Sequence, residues 1–191
     1  MGLDQYVYRL SKVGKDTIKK LNGMNEDDID WHDYMVVSKE AMDKYPNSYS
    51  DILDILRPIQ VKNILVDTER MEKDYHVDGL YCRGTIMSSK GIVYEYVDGN
   101  HETISIALSE EQLKKYLYEK TVDSYICRRK EVYYMRKEYE VQDSIYELYD
   151  GTIDNCGYHH MTEDMIDVVN ECAGKKVLDP AATNLFYHEW Y

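Results

Sequence analysis

From Gln5 to Leu10 apolar and polar positions alternate, with Tyr6, Tyr8 and Leu10 on one side and Gln5, Val7 and Arg9 on the other. A period of two belongs to a β-strand, so the chain is predicted to open with one. The stretch Ser11 to Tyr34 carries Gly14, Gly23 and little apolar period, which predicts a loop or a short irregular element. Ser38 is placed to cap a helical turn that runs over Ala41 to Tyr45 and ends at Pro46. A second helical run follows, capped by Ser50, with Ile52, Leu53, Ile55 and Leu56 as its apolar face and Pro58 as its interruption or kink. Beyond Pro58 the alternation of Ile59, Val61 and Asn63 favours a strand to Val66, then a short charged helix from Glu69 that stops before His76.

The second half reads more plainly. Thr85 to Leu108 is a set of β-branched and aromatic runs, an antiparallel meander with Asp98, Gly99 and Asn100 as a hairpin turn. Ser109 and Gln112 form a capping-box pattern that starts a helix at Glu110. The longest predicted helix is Arg128 to Tyr149. Its stripe of Val132, Met135, Tyr139, Gln142, Tyr146 and Tyr149 is spaced by threes and fours and is widened by Tyr134, Val141, Ile145 and Leu148. Thr162 caps a further helix to Ala173, Gly174 ends it, and the close from Val177 to Tyr191 is a strand-like or packed aromatic segment. The expectation is one α+β domain over residues 1–191, a mostly antiparallel sheet packed by a long helix in the C-terminal half and by shorter helices.

Charge changes the picture most. With 36 Asp and Glu against 23 Lys and Arg the formal net charge is −13, which argues against direct wrapping of nucleic acid, because phosphate binding is driven by Lys and Arg displacing counterions. The aromatic residues are 20 Tyr, 2 Trp and 1 Phe, a composition suited to half-buried sheet faces and to interfaces, a homodimer included. Cys82, Cys127, Cys156 and Cys172 are far apart with no CxxC pair, and no apolar segment precedes the first charged residues. The expectation is a cytoplasmic protein with reduced thiols. No run approaches the ~20 apolar residues of a membrane span.

The stretch "DNCGYHHMTEDM" gathers the most suggestive side chains. Cys156 stands three residues before His159, and a zinc site would need His188, Cys172 or His101 to complete it. Cys156 with His159 or His160 as base is the arrangement a thiol nucleophile would use. The simpler reading is structural: Asp154, Asn155 and Gly157 make a turn, "YHHM" an extended piece, and Thr162 the start of a helix. No metal, cofactor or catalytic residue is therefore assigned, with Cys156, His159 and His160 kept as the candidates for a hydrolase or nuclease.

The opening "MGLDQYVYRL", the middle "DILRPIQVKNILVDTERMEKDYHV", "EVYYMRKEYEVQDSIYE", "NCGYHHMTEDMI" and the closing "LFYHEWY" resemble a family of uncharacterised phage and prophage proteins that begin Met-Gly-Leu-Asp. The family pattern has Trp at Met135 and Tyr-Tyr at His159 and His160, a departure that speaks against a family metal site. The resemblance implies a phage accessory protein in a bacterial cytoplasm. Combined with the charge, it suggests an anti-defence, anti-CRISPR-like inhibitor that presents carboxylates in place of phosphates to a host nucleic-acid-handling effector, whose channel is lined by Lys and Arg. Glu26, Asp27, Asp28, Asp30, Asp33, Asp51 and Asp54 are the expected contact residues. The alternative is a binder of a small nucleotide or signalling molecule, with tyrosines stacked on the base and the basic cluster Arg128 to Lys137 meeting the phosphate.

Overall fold

The computed structural model of the protein describes residues 3–76, 81–88, 91–97, 103–149, 153–154 and 156–190. In chain order the elements are β1 (Asp4–Ser11), α1 (Lys15–Leu21), β2 (Tyr34–Ser38), α2 (Lys39–Lys44), β3 (Arg57–Val66), α3 (Thr68–Tyr75), β4 (Tyr81–Ser88) and β5 (Gly91–Val97). They continue with β6 (Thr103–Leu108), α4 (Glu110–Lys114), β7 (Leu117–Arg136), α5 (Tyr139–Leu148), β8 (His159–His160), α6 (Glu163–Cys172) and β9 (Leu185–Trp190). This is an α+β fold. The chain divides into two compact units, Met1–Val61 with Thr121–Tyr191, and Lys62–Lys120. Among the described residues no helix is long and apolar enough to cross a membrane.

The first unit is built on a sheet of order β2-β7-β1-β9-β8, with β3 also paired to β7. β1 is central. It runs antiparallel to β7 on one side and to β9 on the other, so every backbone polar group along Gln5 to Arg9 has a neighbouring strand within reach. The period of two then sorts its side chains. Val7 joins Met135, Leu185 and Tyr187 under α5 and α6, whose Val141, Ile145, Met165, Ile166 and Val169 complete a dry core. Tyr8 and Leu10 face the other way, into a cluster with Met35, Val37, Ile52, Leu56, Cys127, Tyr158 and Phe186. A third cluster packs Val13, Leu21 and Ile29 on Ile59, Val61 and Ile126.

The predicted helix over Arg128 to Tyr149 is corrected: its first part, to Arg136, is the end of the long strand β7, and only Tyr139–Leu148 is helical. The ladder with β1 pairs Val7 with Tyr133 and Tyr8 with Glu131, so Val132 is an extra residue, a bulge. That insertion breaks the alternation just where it would have signalled a strand, and the remaining spacing imitates a helix. Lys137, with φ of 60°, turns the chain out of the strand. The buried Gln5 side chain clamps that turn, accepting from Glu138 N (3.0 Å) and donating to Glu138 O (3.1 Å).

Two further expectations change. Pro46–Ile52 is a 3-10 turn with Pro46 in its first turn, so Ser50 lies inside it rather than capping a helix after it. Pro58 does not kink a helix; it sits exposed near the start of β3. Within the stretch read as a loop or short irregular element α1 forms, and β2 begins at its last residue, Tyr34, showing alternate burial through Met35 and Val37. The Ser38 cap stands, its hydroxyl accepting from Ala41 N at 3.1 Å.

In the second unit β4, β5 and β6 make the expected antiparallel meander, with Tyr94 opposite both Thr85 and Ile106. The hairpin read at Asp98 to Asn100 lies outside the described residues. Asp67 caps α3 by accepting from Arg70 N (3.0 Å), and the Ser109–Gln112 capping box opens α4 with both of its bonds made. Met71 is fully buried, Tyr116 OH donates to Asp74 (2.7 Å), and Lys62 pairs with Glu119 at 3.0 Å.

Candidate ligand-binding site

On the face of the first unit's sheet away from α5 and α6, register places rings side by side. Tyr6 is opposite His188 and Tyr8 opposite Phe186 across β1 and β9. Tyr6 stacks on Tyr8 with centroids 5.6 Å apart and lies 5.1 Å from Tyr134. His188 stacks on Tyr158 at 4.5 Å with an interplanar angle of 11°. Stacked and tilted pairs of this kind add to the energy of burial.

Tyr158 is delivered by a turn. Gly157 N donates to Asp154 O (2.8 Å) and Tyr158 N donates to Ser48 O (3.0 Å). A Cβ on Gly157 would stand 2.8 Å from both Asp154 O and the His159 ring, so no other residue fits. Gly157 O in turn accepts from His188 Nδ1 (3.0 Å), which fixes the proton of the neutral ring on Nδ1 and leaves Nε2 as an acceptor. Burial holds the His188 pKa below its ordinary value, the bond to Gly157 O acts the other way, and Arg129 and His159 lower it further.

Arg129, on β7, completes the group. Its guanidinium carbon lies 5.0 Å from the Tyr8 centroid and 5.4 Å from that of Trp31, and its Nη2 donates to Trp31 O at 2.5 Å. It is half-buried, yet among the described residues no carboxylate forms an ion pair with it. Burial pushes the Tyr158 phenol up to about 12, against the pull of the Arg129 charge and hydrogen bond. These side chains, with Glu26, Tyr34, Tyr49, Cys156 and Trp190, enclose a cavity of about 460 Å³. That is the size of a small-molecule site. Trp31 and Trp190 remain 62% and 58% exposed and give the cavity an aromatic edge.

The residues singled out in "CGYHH" are separated by the same turn. Cys156, at φ of 67°, is exposed and borders the cavity; burial, Asp154 and Glu189 raise its thiol pKa, opposite to what a thiolate nucleophile needs. His159 and His160 are consecutive in β8 and so leave on opposite faces. His159 is buried against the Tyr149 ring with its Nε2 at hydrogen-bond distance from the Asp154 backbone, 3.0 Å from O and 3.3 Å from N, while His160 donates to Thr183 O (2.9 Å). Cys172 donates weakly to Glu138, and His101 lies outside the described residues. Among the described residues no three His, Cys, Asp or Glu side chains gather as a metal site would require.

Of the acidic row, Glu26, Asp27 and Asp28 form a 3-10 turn capped by Asn25, and Asp30 accepts from His32 N (2.9 Å). Asp27, Asp28, Asp30 and Asp33 are exposed, whereas Glu26 is half-buried on the cavity wall. Asp51 is a structural acceptor for Tyr149 OH (2.7 Å) and His160 N (2.9 Å); burial alone would raise its pKa, and these bonds bring it below the ordinary value. Asp54 is exposed, and its backbone carbonyl accepts from Arg57.

Sequence reasoning placed Arg129 in a helix, within the basic cluster set against a phosphate, counted His188 only as a possible zinc ligand, and did not single out Tyr6, Tyr8, Trp31 or Tyr158 as site residues. The one available signal was the alternation of Tyr6 and Tyr8 with Val7. Compared with known proteins, the chain matches no family model, no curated protein and no solved structure.

Proposed function

We propose that the protein is a binding protein, not a catalyst, whose aromatic cavity takes a small planar anion of the nucleotide type. The observation that carries the reading is Arg129: a half-buried cation, in a chain of net charge −13, held by aromatic rings and by no carboxylate of the described residues. Buried charges are ordinarily paired, and a guanidinium left in this way suits a phosphate arriving from outside. Exposed indole and phenol rings suit a base, each stacking contact being worth about 1–3 kcal/mol. The raised Cys156 thiol and the engaged histidines favour binding over chemistry.

The resemblance to phage proteins supports a setting in the cytoplasm of a bacterial host, where such a cavity would sequester a nucleotide signal on which a defence depends. Isothermal titration calorimetry with nucleoside monophosphates and their cyclic forms tests the reading. The expected result is heat with at least one of them and at least a tenfold loss of affinity in Arg129→Gln, consistent with a charge-assisted bond of about 1.5–3 kcal/mol. Silence across the panel at millimolar ligand sinks it.

A second reading keeps the acidic surface as the working part. Asp27, Asp28, Asp30 and Asp33 are exposed on the one segment between α1 and β2, and among the described residues none is ion-paired. That favours contact with a basic groove on a nucleic-acid-handling host protein.

A further inference from the structure

We infer that the ligand is a guanine mononucleotide; this rests on the nucleotide reading of the same cavity and adds the identity of the base and the number of phosphates. Among the described residues that line the cavity, Arg129 alone carries a full positive charge and Glu26 alone a carboxylate. Glu26 opens the 3-10 turn, where its backbone carbonyl accepts from Ile29 N at 3.0 Å. Its side chain is half-buried, and among the described residues the carboxylate has neither an ion-pair nor a hydrogen-bond partner.

A carboxylate on the wall of an anion site disfavours binding unless the ligand brings donors to it. Among the bases, guanine presents a ring N–H and an exocyclic amine side by side, which two carboxylate oxygens accept together. Adenine and cytosine pair their amine with a ring nitrogen acceptor, which would face the second oxygen with a lone pair. Uracil sets its single N–H between two carbonyls. Only guanine satisfies both oxygens of Glu26.

The aromatic lining would also suit an alkylammonium ligand, since such cages bind cations by their ring faces. Here Arg129 already occupies the faces of Tyr8 and Trp31 and would repel a second cation. The count of charges limits the phosphate. One guanidinium answers one phosphate group, and a net charge of −13 opposes di- and triphosphates and nucleic acid strands at longer range.

Calorimetry of the whole chain with GMP, AMP, CMP, UMP, GTP and inorganic phosphate, repeated on Glu26→Gln, tests this. The expected result is GMP at least tenfold tighter than the other monophosphates and than GTP, with that preference erased in Glu26→Gln. Circular dichroism checks that the variant keeps its fold. Equal affinity for GMP and AMP, tighter binding of GTP, or a preference that survives Glu26→Gln overturns the guanine assignment while leaving a nucleotide cavity standing, whereas phosphate binding as well as GMP overturns both. No heat with any nucleotide overturns the underlying reading and this one together.

Discussion

His188 shows how much one residue depends on its surroundings here. Its ring is 7% exposed, stacked on Tyr158 and bonded through Nδ1 to Gly157 O, and burial keeps its pKa below the ordinary 6.5. The unfolded chain takes up a proton near pH 6.5 where the folded one does not, so over that interval the unfolded state binds more protons and stability rises with pH. The contribution of neutral His188 is therefore complete above about pH 6.5 and is lost as pH falls toward the folded-state value. Urea unfolding at pH 7.5 and pH 5.5 is expected to give a lower stability at 5.5, with a smaller difference in His188→Gln. An undiminished difference in the variant would assign the effect to other groups. Little of this was legible in the sequence. His188 is next to Glu189, yet the strand sends one to the aromatic face and the other under α5, where Glu189 accepts from Gln142, Tyr187 and Tyr146.

At the scale of elements, legibility followed locality. The caps at Ser38, Ser109 and Thr162 were readable because each is complete within four residues, and all three hold. β1, the strand from Ile59 to Val66, the meander and α6 were readable from their apolar positions, and α3 from its run of charged residues. β7 was not, because the bulge at Val132 exists only by virtue of the partner strand β1, which no local window contains. β2 was hidden by its length. For α6, Thr162→Ala removes the hydroxyl that accepts from Met165 N (3.3 Å) and is expected to cost about 1 kcal/mol. The midpoint of a urea melt should fall with an unchanged slope; an unmoved midpoint would mean that the cap adds nothing to this helix.

For the molecule as a whole, the apolar pattern reached the fold class and composition the acidity, but neither reached the cavity, whose lining runs from Tyr6 to Trp190 and meets only through the sheet. Charge is the global property that separates the two functional readings. If the exposed Asp27, Asp28, Asp30 and Asp33 occupy a basic groove, tagged protein should retain a nucleic-acid-binding effector from host lysate at low salt and release it as salt is raised, with retention lost when the four are changed to Asn. Retention that ignores both salt and the four substitutions would remove that reading and leave the cavity as the only working part. The central place of β1 also orders events during synthesis. Asp4–Ser11 is made long before its partner Leu185–Trp190, so the middle of the sheet stays open until that distant segment has left the ribosome. A sheet closed by such distant segments folds slowly. A nascent chain halted before Leu185 would carry β1 with an unpaired edge, the form of this protein most exposed to aggregation and to the cell's proteases.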